Sequence, residues 1–342
     1  MRGIVWHGPE RMSVEEVELP EVGPGQVVVR PEATGICGSE IEGYLGRMGN
    51  RTPPLVMGHE FAGTVTEVGD GADEGLIGQT VAVNPLSSDG TCKLCRAGLT
   101  NLCLNRKLVG IHSPGGFAEY TLAPAANVYP LPEGVDARTG ALAEPLANGV
   151  HVARLGTAGG HPVERAVVIG AGTIGLMCLQ AAVLDGIPEV HVVEPQEGRR
   201  GQALALGATG VHASAEEAGL ALEGATEGLG ADLVIDAVGA EVTRRAAVDL
   251  LRPGGRAVFI GLHDDGSTLG FHGVVRGQID LQGSYAYTAE DFEQALSWLV
   301  EGKAGIGELP PVLALEEGPG AFADLVRGPS AQIKVFLSGS GA

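Results

Sequence analysis

Basic residues are scarce in this chain. It holds 22 Lys and Arg against 42 Asp and Glu, a formal net charge of −20. Such a surface repels phosphate backbones and anionic lipid, which discounts nucleic acid and membrane as partners. Cysteine is also sparse, with five residues: Cys37, Cys92, Cys95, Cys103 and Cys178. An odd number in a long chain argues against a disulfide framework and for thiolate–metal chemistry in a reducing cytoplasm. The N-terminal apolar run is short and is cut by His7 and Pro9, so no secretory leader is expected. Long uncharged stretches are absent but for residues 166–184, enough to span a bilayer by length. Gly170, Gly172 and Gly175 lie inside it at phosphate-loop spacing, which argues for a cofactor loop instead. No segment reads as low-complexity and no internal repeat is evident.

Glycine is plentiful, 55 of 342 residues, which suits a loop-rich sheet protein better than a helix bundle. The length exceeds one ordinary core and predicts two domains. Up to about residue 139 the pattern is β-like with little helix, with extended segments at 14–19, 26–30, 61–68 and 80–83. Strands and helices then alternate. Helices are expected at 146–156, 174–185, 198–206 and 242–251, and strands at 165–169, 190–194, 232–236, 256–260 and 279–283. That rhythm predicts βαβ units and a parallel, doubly wound sheet. A helix at 289–301 precedes β-like segments at 311–315 and 333–337, so the tail resembles the first region. The expected division is a β domain at 1–149, a dinucleotide-binding domain at 150–286 and a return segment at 287–342.

The sequence Gly170-Ala171-Gly172-Thr173-Ile174-Gly175 follows a strand and opens a helix, with Glu194 at the end of the next strand. In that context the motif predicts a dinucleotide site. Gly170 permits the tight turn, Gly172 lets a pyrophosphate approach the backbone and Gly175 lets helix and strand pack closely. The phosphates would lie at the helix N-terminus around Thr173 and Ile174. Glu194 accepting from the ribose hydroxyls favours NAD, while Arg199 and Arg200 leave NADP open through a 2′-phosphate contact. Cys178 on the following helix reads as packing.

Two groups of residues carry metal-ligand chemistry. Cys37, His59 and Glu60 offer S, N and O donors suited to zinc, with Glu144 a fourth acidic candidate at a helix start. A lone buried histidine or a cysteine between glycines is more often packing, and these gain weight only together. In the loop at about 87–105, Asp89-x-x-Cys92-x-x-Cys95-x7-Cys103 has the spacing of a structural zinc lobe. The carboxylate of Asp89 is a harder donor than thiolate and holds zinc less tightly.

With Gly35-Ile36-Cys37-Gly38-Ser39, Gly58-His59-Glu60, the cysteine lobe, Glu144-Pro145-Leu146, the glycine loop and Arg252-Pro253-Gly254-Gly255, the chain resembles the zinc-dependent medium-chain dehydrogenases. That family includes alcohol, sorbitol, threonine and butanediol dehydrogenases. The resemblance implies a Rossmann domain plus a discontinuous GroES-like β domain, an active site in the cleft between them, and homodimers or homotetramers. It implies that Cys37 and His59 hold a catalytic zinc, with Glu60 the third ligand and Glu144 able to exchange with it. It also implies that Ser39 bonds the substrate hydroxyl and that Gly261 and Leu262, with Gly283 to Tyr285, lie near the nicotinamide. Two positions depart from the family. Asp89 stands for the first lobe cysteine, and Glu42 stands where a relay histidine often lies.

The implied reaction oxidises a small alcohol (a polyol, diol, sugar or secondary alcohol) to a ketone or aldehyde, with hydride passing to NAD(P). Ser39 takes the proton and Glu42 is its terminal acceptor, or else a solvated carboxylate. Three rivals stay open: a zinc-free NAD(P)H reductase of the same fold, a catalytically silent NAD-binding regulator, and a metal-storage or structural zinc protein. Arg47 and Arg51 could contact an acidic group of the substrate, but two loop arginines are expected to be solvated, and no basic cluster announces a phosphorylated substrate.

Overall fold

The structure, a computed structural model, describes residues 1–226, 228–328 and 332–339. It divides into two compact units, Met1–Glu144 joined by the chain from Thr288, and Pro145–Tyr287.

The first unit is built on antiparallel strands. Strand Gln26–Gly35 pairs with Glu60–Val68 and with Thr121–Pro124, and Phe336–Ser338 from the return segment lies along its end. Strand Arg2–Gly8 pairs with Arg11–Glu16 and with Leu55–Val56. The second extended segment ends earlier than the 14–19 pattern suggests, because its partner runs out at Arg2, opposite Glu16. Alternation along the strands sends Val27, Val29, Phe61, Val65, Val81 and Val83 into one core. A second core gathers Ile4, Trp6, Met57 and Phe117 with Phe322 and Leu337 of the return segment. There Phe117 and Phe322 meet edge to face at 5.7 Å.

Among the short helices that interrupt this region are Gly38–Tyr44 and Lys93–Arg96. Both are too short to show an amphipathic period. They are set by local bonds: Glu40 accepts from the Cys37 N–H, and Cys92 Sγ from the Cys95 N–H.

The second unit is a six-stranded parallel sheet in the order Gly210–His212, Glu189–Val193, Arg165–Ile169, Ala231–Asp236, Leu251–Phe259, Asp280–Gly283. The sequence order reverses at Arg165–Ile169, and in doubly wound sheets a ligand binds at that switch point. The uncharged run at 166–184 divides into strand Arg165–Ile169 and helix Thr173–Leu184 around the glycine loop. Among the described residues no helix is long and apolar enough to cross a membrane. Strand Gly210–His212 and helices Ala215–Ala225, Phe271–Gly277 and Gly318–Arg327 have no counterpart in the sequence reading. The strand is three residues long, and Ala215–Ala225 is started by the Ser214 side chain accepting from the Glu217 N–H.

Candidate active site and cofactor loop

Cys37 lies at the N-terminus of helix Gly38–Tyr44, and His59 and Glu60 lie where strand Glu60–Val68 begins. Their ligand atoms come within 4.8 Å of one another. Glu40, one of two carboxylates noted beside Cys37 in the sequence but given no role there, organises them. Its carboxylate is fully buried and accepts from the N–H groups of Cys37 (3.1 Å), Gly58 (2.8 Å) and His59 (3.2 Å). His59 Nδ1 also lies 2.8 Å from Glu40 Oε1. A proton donated there leaves the Nε2 lone pair for a metal. Burial raises the Glu40 carboxyl, but the His59 charge and hydrogen bond outweigh it and hold it below its ordinary value.

Glu60 makes its ion pair with Lys334 of the return segment, whose Nζ also donates to the Ile36 carbonyl at 3.2 Å. Both side chains are sealed from solvent. Burial pulls the Lys334 ammonium down, yet the facing Glu60 carboxylate and Cys37 raise it overall. Gly35 makes room for this pair, since a Cβ there would stand 2.5 Å from both Glu60 Oε2 and Lys334 Cε. Glu60 Oε1 is buried and takes no hydrogen bond. A bare carboxylate oxygen beside a thiol and an imidazole fits a divalent cation with thiolate, imidazole and carboxylate donors, as zinc takes. Glu144 is buried in the first turn of helix Ala143–Thr157 but is not among the donors that converge.

Ser39 Oγ donates to Cys37 Sγ at 3.4 Å and accepts from Arg51 Nη2 at 3.3 Å. Arg51 is buried, contrary to the expectation that both loop arginines are solvated. Arg47 is in solvent and bonds Glu42 Oε2 at 3.3 Å.

The lobe brings Asp89, Cys92, Cys95 and Cys103 together, again within 4.8 Å. Cys92 Sγ lies 3.4 Å from Cys95 Sγ and 4.0 Å from Cys103 Sγ, and Asp89 Oδ1 lies 3.4 Å from Cys95 Sγ. The N–H of Cys95 lowers the Cys92 thiol to about 7, while burial pushes Cys95 up to about 11. Asp89 is held well below the carboxylate range by the Cys92 N–H, the Asn105 amide and the Thr91 N–H. Those same bonds fold the loop, so Asp89 shapes the lobe as well as offering an oxygen to it. All five cysteines are free thiols, and burial pushes Cys178 up to about 12.

In the second unit Gly170 adopts φ +97°, and a Cβ on Gly175 would lie 1.9 Å from the Gly170 carbonyl oxygen. Both positions need glycine. Nothing lies within 4 Å of a Cβ built on Gly172, the N-cap of helix Thr173–Leu184. That open space beside the helix start, whose first turn holds Thr173 and Ile174, is what a pyrophosphate requires. Glu194 is buried, with Oε2 accepting from Ala171 N–H (3.0 Å) and Oε1 from Gln196 N–H (2.9 Å). Each oxygen keeps a lone pair for a ribose hydroxyl. Arg200 is turned onto the carbonyls of Glu194 and Pro195, at 2.9 and 2.7 Å, while Arg199 lies on helix Glu197–Ala205. Gly261 donates its N–H to the Asp236 carbonyl, and the Leu262 side chain is exposed. Asp236, a buried carboxylate not singled out from sequence, accepts from the N–H groups of Val238 and Gly239, fixing the neighbouring turn.

Residues 23–133 match the alcohol dehydrogenase GroES-like domain, and residues 173–301 match the zinc-binding dehydrogenase domain. The chain is 34% identical to a D-xylulose reductase A of Aspergillus niger over 98% of its own length and 96% of the relative's. It is 31% identical to the L-threonine 3-dehydrogenase of Caldanaerobacter subterraneus, covering 89% and 88%. Among solved structures, an alcohol dehydrogenase from Escherichia coli CFT073 complexed with NADH superposes with a TM-score of 0.88 at 29% identity, covering 99% of both chains.

Proposed function

Because the chain belongs to the zinc-dependent medium-chain dehydrogenases, we propose that Cys37, His59 and Glu60 hold its catalytic zinc, with Ser39 as contact to the reacting hydroxyl. The protein is an NAD(P)-dependent oxidoreductase that interconverts an alcohol or polyol and its carbonyl counterpart. The observation that carries the reading of the site is the convergence of three unlike donors, one aimed by Glu40 and one left with an orphan oxygen.

When bound, zinc supplies Lewis-acid polarisation of the alcohol oxygen and NAD supplies the hydride acceptor. The chain's own residues do the rest. Glu40 holds the His59 ring and its tautomer. Lys334 balances Glu60. Ser39 Oγ takes the substrate's proton, and Glu42 is its terminal acceptor. Glu144 is a reserve ligand that exchanges with Glu60. Asp89, Cys92, Cys95 and Cys103 hold a structural zinc.

For the cofactor, Gly170, Gly172, Thr173, Ile174 and Gly175 receive the pyrophosphate, with Gly261 and Leu262 beside the nicotinamide. Glu194 takes the ribose hydroxyls. Its buried charge repels a 2′-phosphate, and Arg200 is committed to backbone carbonyls, so NAD is the cofactor of choice over NADP. Residues 1–149 with 287–342 form the catalytic domain and 150–286 the cofactor domain of a cytoplasmic homodimer or homotetramer.

The test is a panel of alditols, vicinal diols and secondary alcohols, assayed with NAD and NADP before and after a chelator. NAD-dependent turnover that a chelator abolishes and zinc restores is the expected result. Turnover untouched by chelation points to the zinc-free reductase, and cofactor binding without turnover to the silent regulator.

A further inference from the structure

One edge of the parallel sheet carries two histidines that the reaction does not use. His191 lies on strand Glu189–Val193, and His212 ends strand Gly210–His212. His191 pairs with Gly210, and His212 is two residues further on, so both rings stand on one face of the sheet. The rings stack at 5.3 Å with 21° between their planes, and His191 Nδ1 lies 3.0 Å from His212 Nε2. Gly210 leaves the space that these two nitrogens share. A Cβ there would stand 2.6 Å from His191 Nδ1 and 3.5 Å from His212 Nε2. On the other side of the His191 ring, Nε2 lies 4.0 Å from Glu189 Oε2, a carboxylate oxygen that accepts from Arg165 Nε at 2.7 Å. That carboxylate favours a proton on Nε2, which leaves the Nδ1 lone pair directed at His212. Arg165 and Glu189 are the charged groups that act on His191, and Glu217 of helix Ala215–Ala225 acts on His212. Burial holds both rings below their ordinary value, so both are neutral at neutral pH. His191 keeps 14% of its side chain exposed and His212 is partly exposed, so the pair is open to solutes.

We propose that His191 and His212 form a binding site for a divalent transition-metal ion, sharing no residue with the two clusters described above. Two nitrogens that lie 3.0 Å apart and each bond one ion at about 2.0–2.1 Å subtend an angle of about 90° at it. The ion takes the place of the proton that the pair shares. His212 then carries its hydrogen on Nδ1, and a turn of the rings brings both lone pairs onto the ion. A right angle matches adjacent corners of a square or an octahedron, as nickel(II) and copper(II) take, better than the wider angle of tetrahedral zinc. Imidazole is a donor that both ions accept, and water fills the remaining positions. The bound ion ties the three-residue edge strand to its neighbour. The His212 carbonyl also accepts the Glu194 N–H at 2.9 Å, so the tie is made next to the carboxylate proposed to hold the ribose.

The experiment dialyses untagged, zinc-loaded protein against nickel(II) chloride over a range of concentrations and counts bound nickel and zinc by elemental analysis. Wild type, His191→Gln, His212→Gln and Gly210→Ala are compared. Wild type is expected to gain one nickel per chain and to keep its zinc. His191→Gln and His212→Gln are each expected to bind that nickel about tenfold or more weakly, because a single imidazole is left to hold it. Gly210→Ala keeps both histidines but sets a methyl in the space between their nitrogens, and it is expected to weaken nickel binding as well. Circular dichroism and zinc content, measured alongside, confirm that each variant is folded. Nickel gained only in step with zinc lost is exchange at the other clusters and overturns the proposal. Nickel bound equally by wild type and His212→Gln overturns it too, and so does wild type that gains none. A further zinc that outcompetes equimolar nickel at the pair overturns the right-angle assignment of the ion.

Discussion

Lys334 and Glu60 form an ion pair with neither side chain open to water, joining the return segment to the first strand residue of the metal site. Removing one partner of such a pair leaves a buried charge uncompensated, at a cost of about 3–5 kcal/mol. Lys334→Met is therefore expected to lower the stability of the chelated protein by that order. Adding Glu60→Gln to it recovers part of the loss. Urea unfolding of both variants after chelation reads the difference, and a double variant no more stable than Lys334→Met contradicts the pairing.

Glu40 predicts a different signature. Glu40→Gln keeps the shape of the side chain and loses the charge that orients His59. Zinc affinity is expected to fall about 10–100-fold. Competition against a chromophoric chelator measures it, with circular dichroism confirming an intact fold. An unchanged affinity removes Glu40 from the site.

The glycine loop separates folding from binding. Gly172 has an ordinary extended conformation (φ −75°, ψ −176°) and open space around its Cβ direction. Gly172→Val is expected to leave the melting temperature unchanged and weaken NAD binding on the order of tenfold or more. Gly175→Ala drives a methyl into the Gly170 carbonyl and is expected to lower both. Calorimetry and cofactor fluorescence titration on the two variants decide the matter. A Gly172→Val protein with full NAD affinity would place the pyrophosphate elsewhere.

Asp232 gives the stability a pH dependence. Its carboxylate accepts from the N–H groups of Glu164 and Arg165 at 2.9 Å each and from Arg252 Nε at 2.5 Å. Burial raises this group, but the Arg252 bond and the two N–H groups pull it below its ordinary value. A carboxyl lowered in the folded state stabilises the fold above its unfolded value of 3.8, and the contribution is lost as pH falls through the folded value. Asp232→Asn is expected to cost about 1–3 kcal/mol at pH 7, and progressively less as the pH drops below 4. Urea midpoints of both proteins across that range test it, and a constant gap would contradict the assignment.

Much of this was legible in the chain because the chemistry is local. The glycine loop, the Cys37 segment and the lobe each lie within a few residues, and the structure brings together Cys37, His59 and Glu60, and the four lobe donors, but not Glu144. What escaped has no local mark. Glu40 sits three residues after Cys37, at the spacing of a capping box, and with a cysteine in the cap position the pattern passed unread. Arg51 has the sequence setting of any loop arginine, and it is buried because its side chain passes over Gly43, where a Cβ would stand 2.8 Å from its Cδ, a fit that exists only when helix and loop are folded together. Lys334 lies 298 positions from Ile36, whose carbonyl it caps, and no periodicity reaches that far. The short helices at Gly38–Tyr44 and Lys93–Arg96 arise from side chains closing on backbone N–H groups, which outweigh the extended pattern on either side.

The discontinuity of the first unit has a consequence for how the protein is made. On the ribosome, strand Glu60–Val68 emerges well before the lysine that neutralises its first residue. Until then the Glu60 carboxylate must stay hydrated or find a cation, so the segment cannot settle into its final dry packing. The whole dinucleotide-binding unit, whose contacts are sequential, is free to fold in the interval. Pairing of Glu60 thus waits for residue 334, and a chain released short of it carries Cys37, His59 and Glu60 yet lacks the charge that balances Glu60.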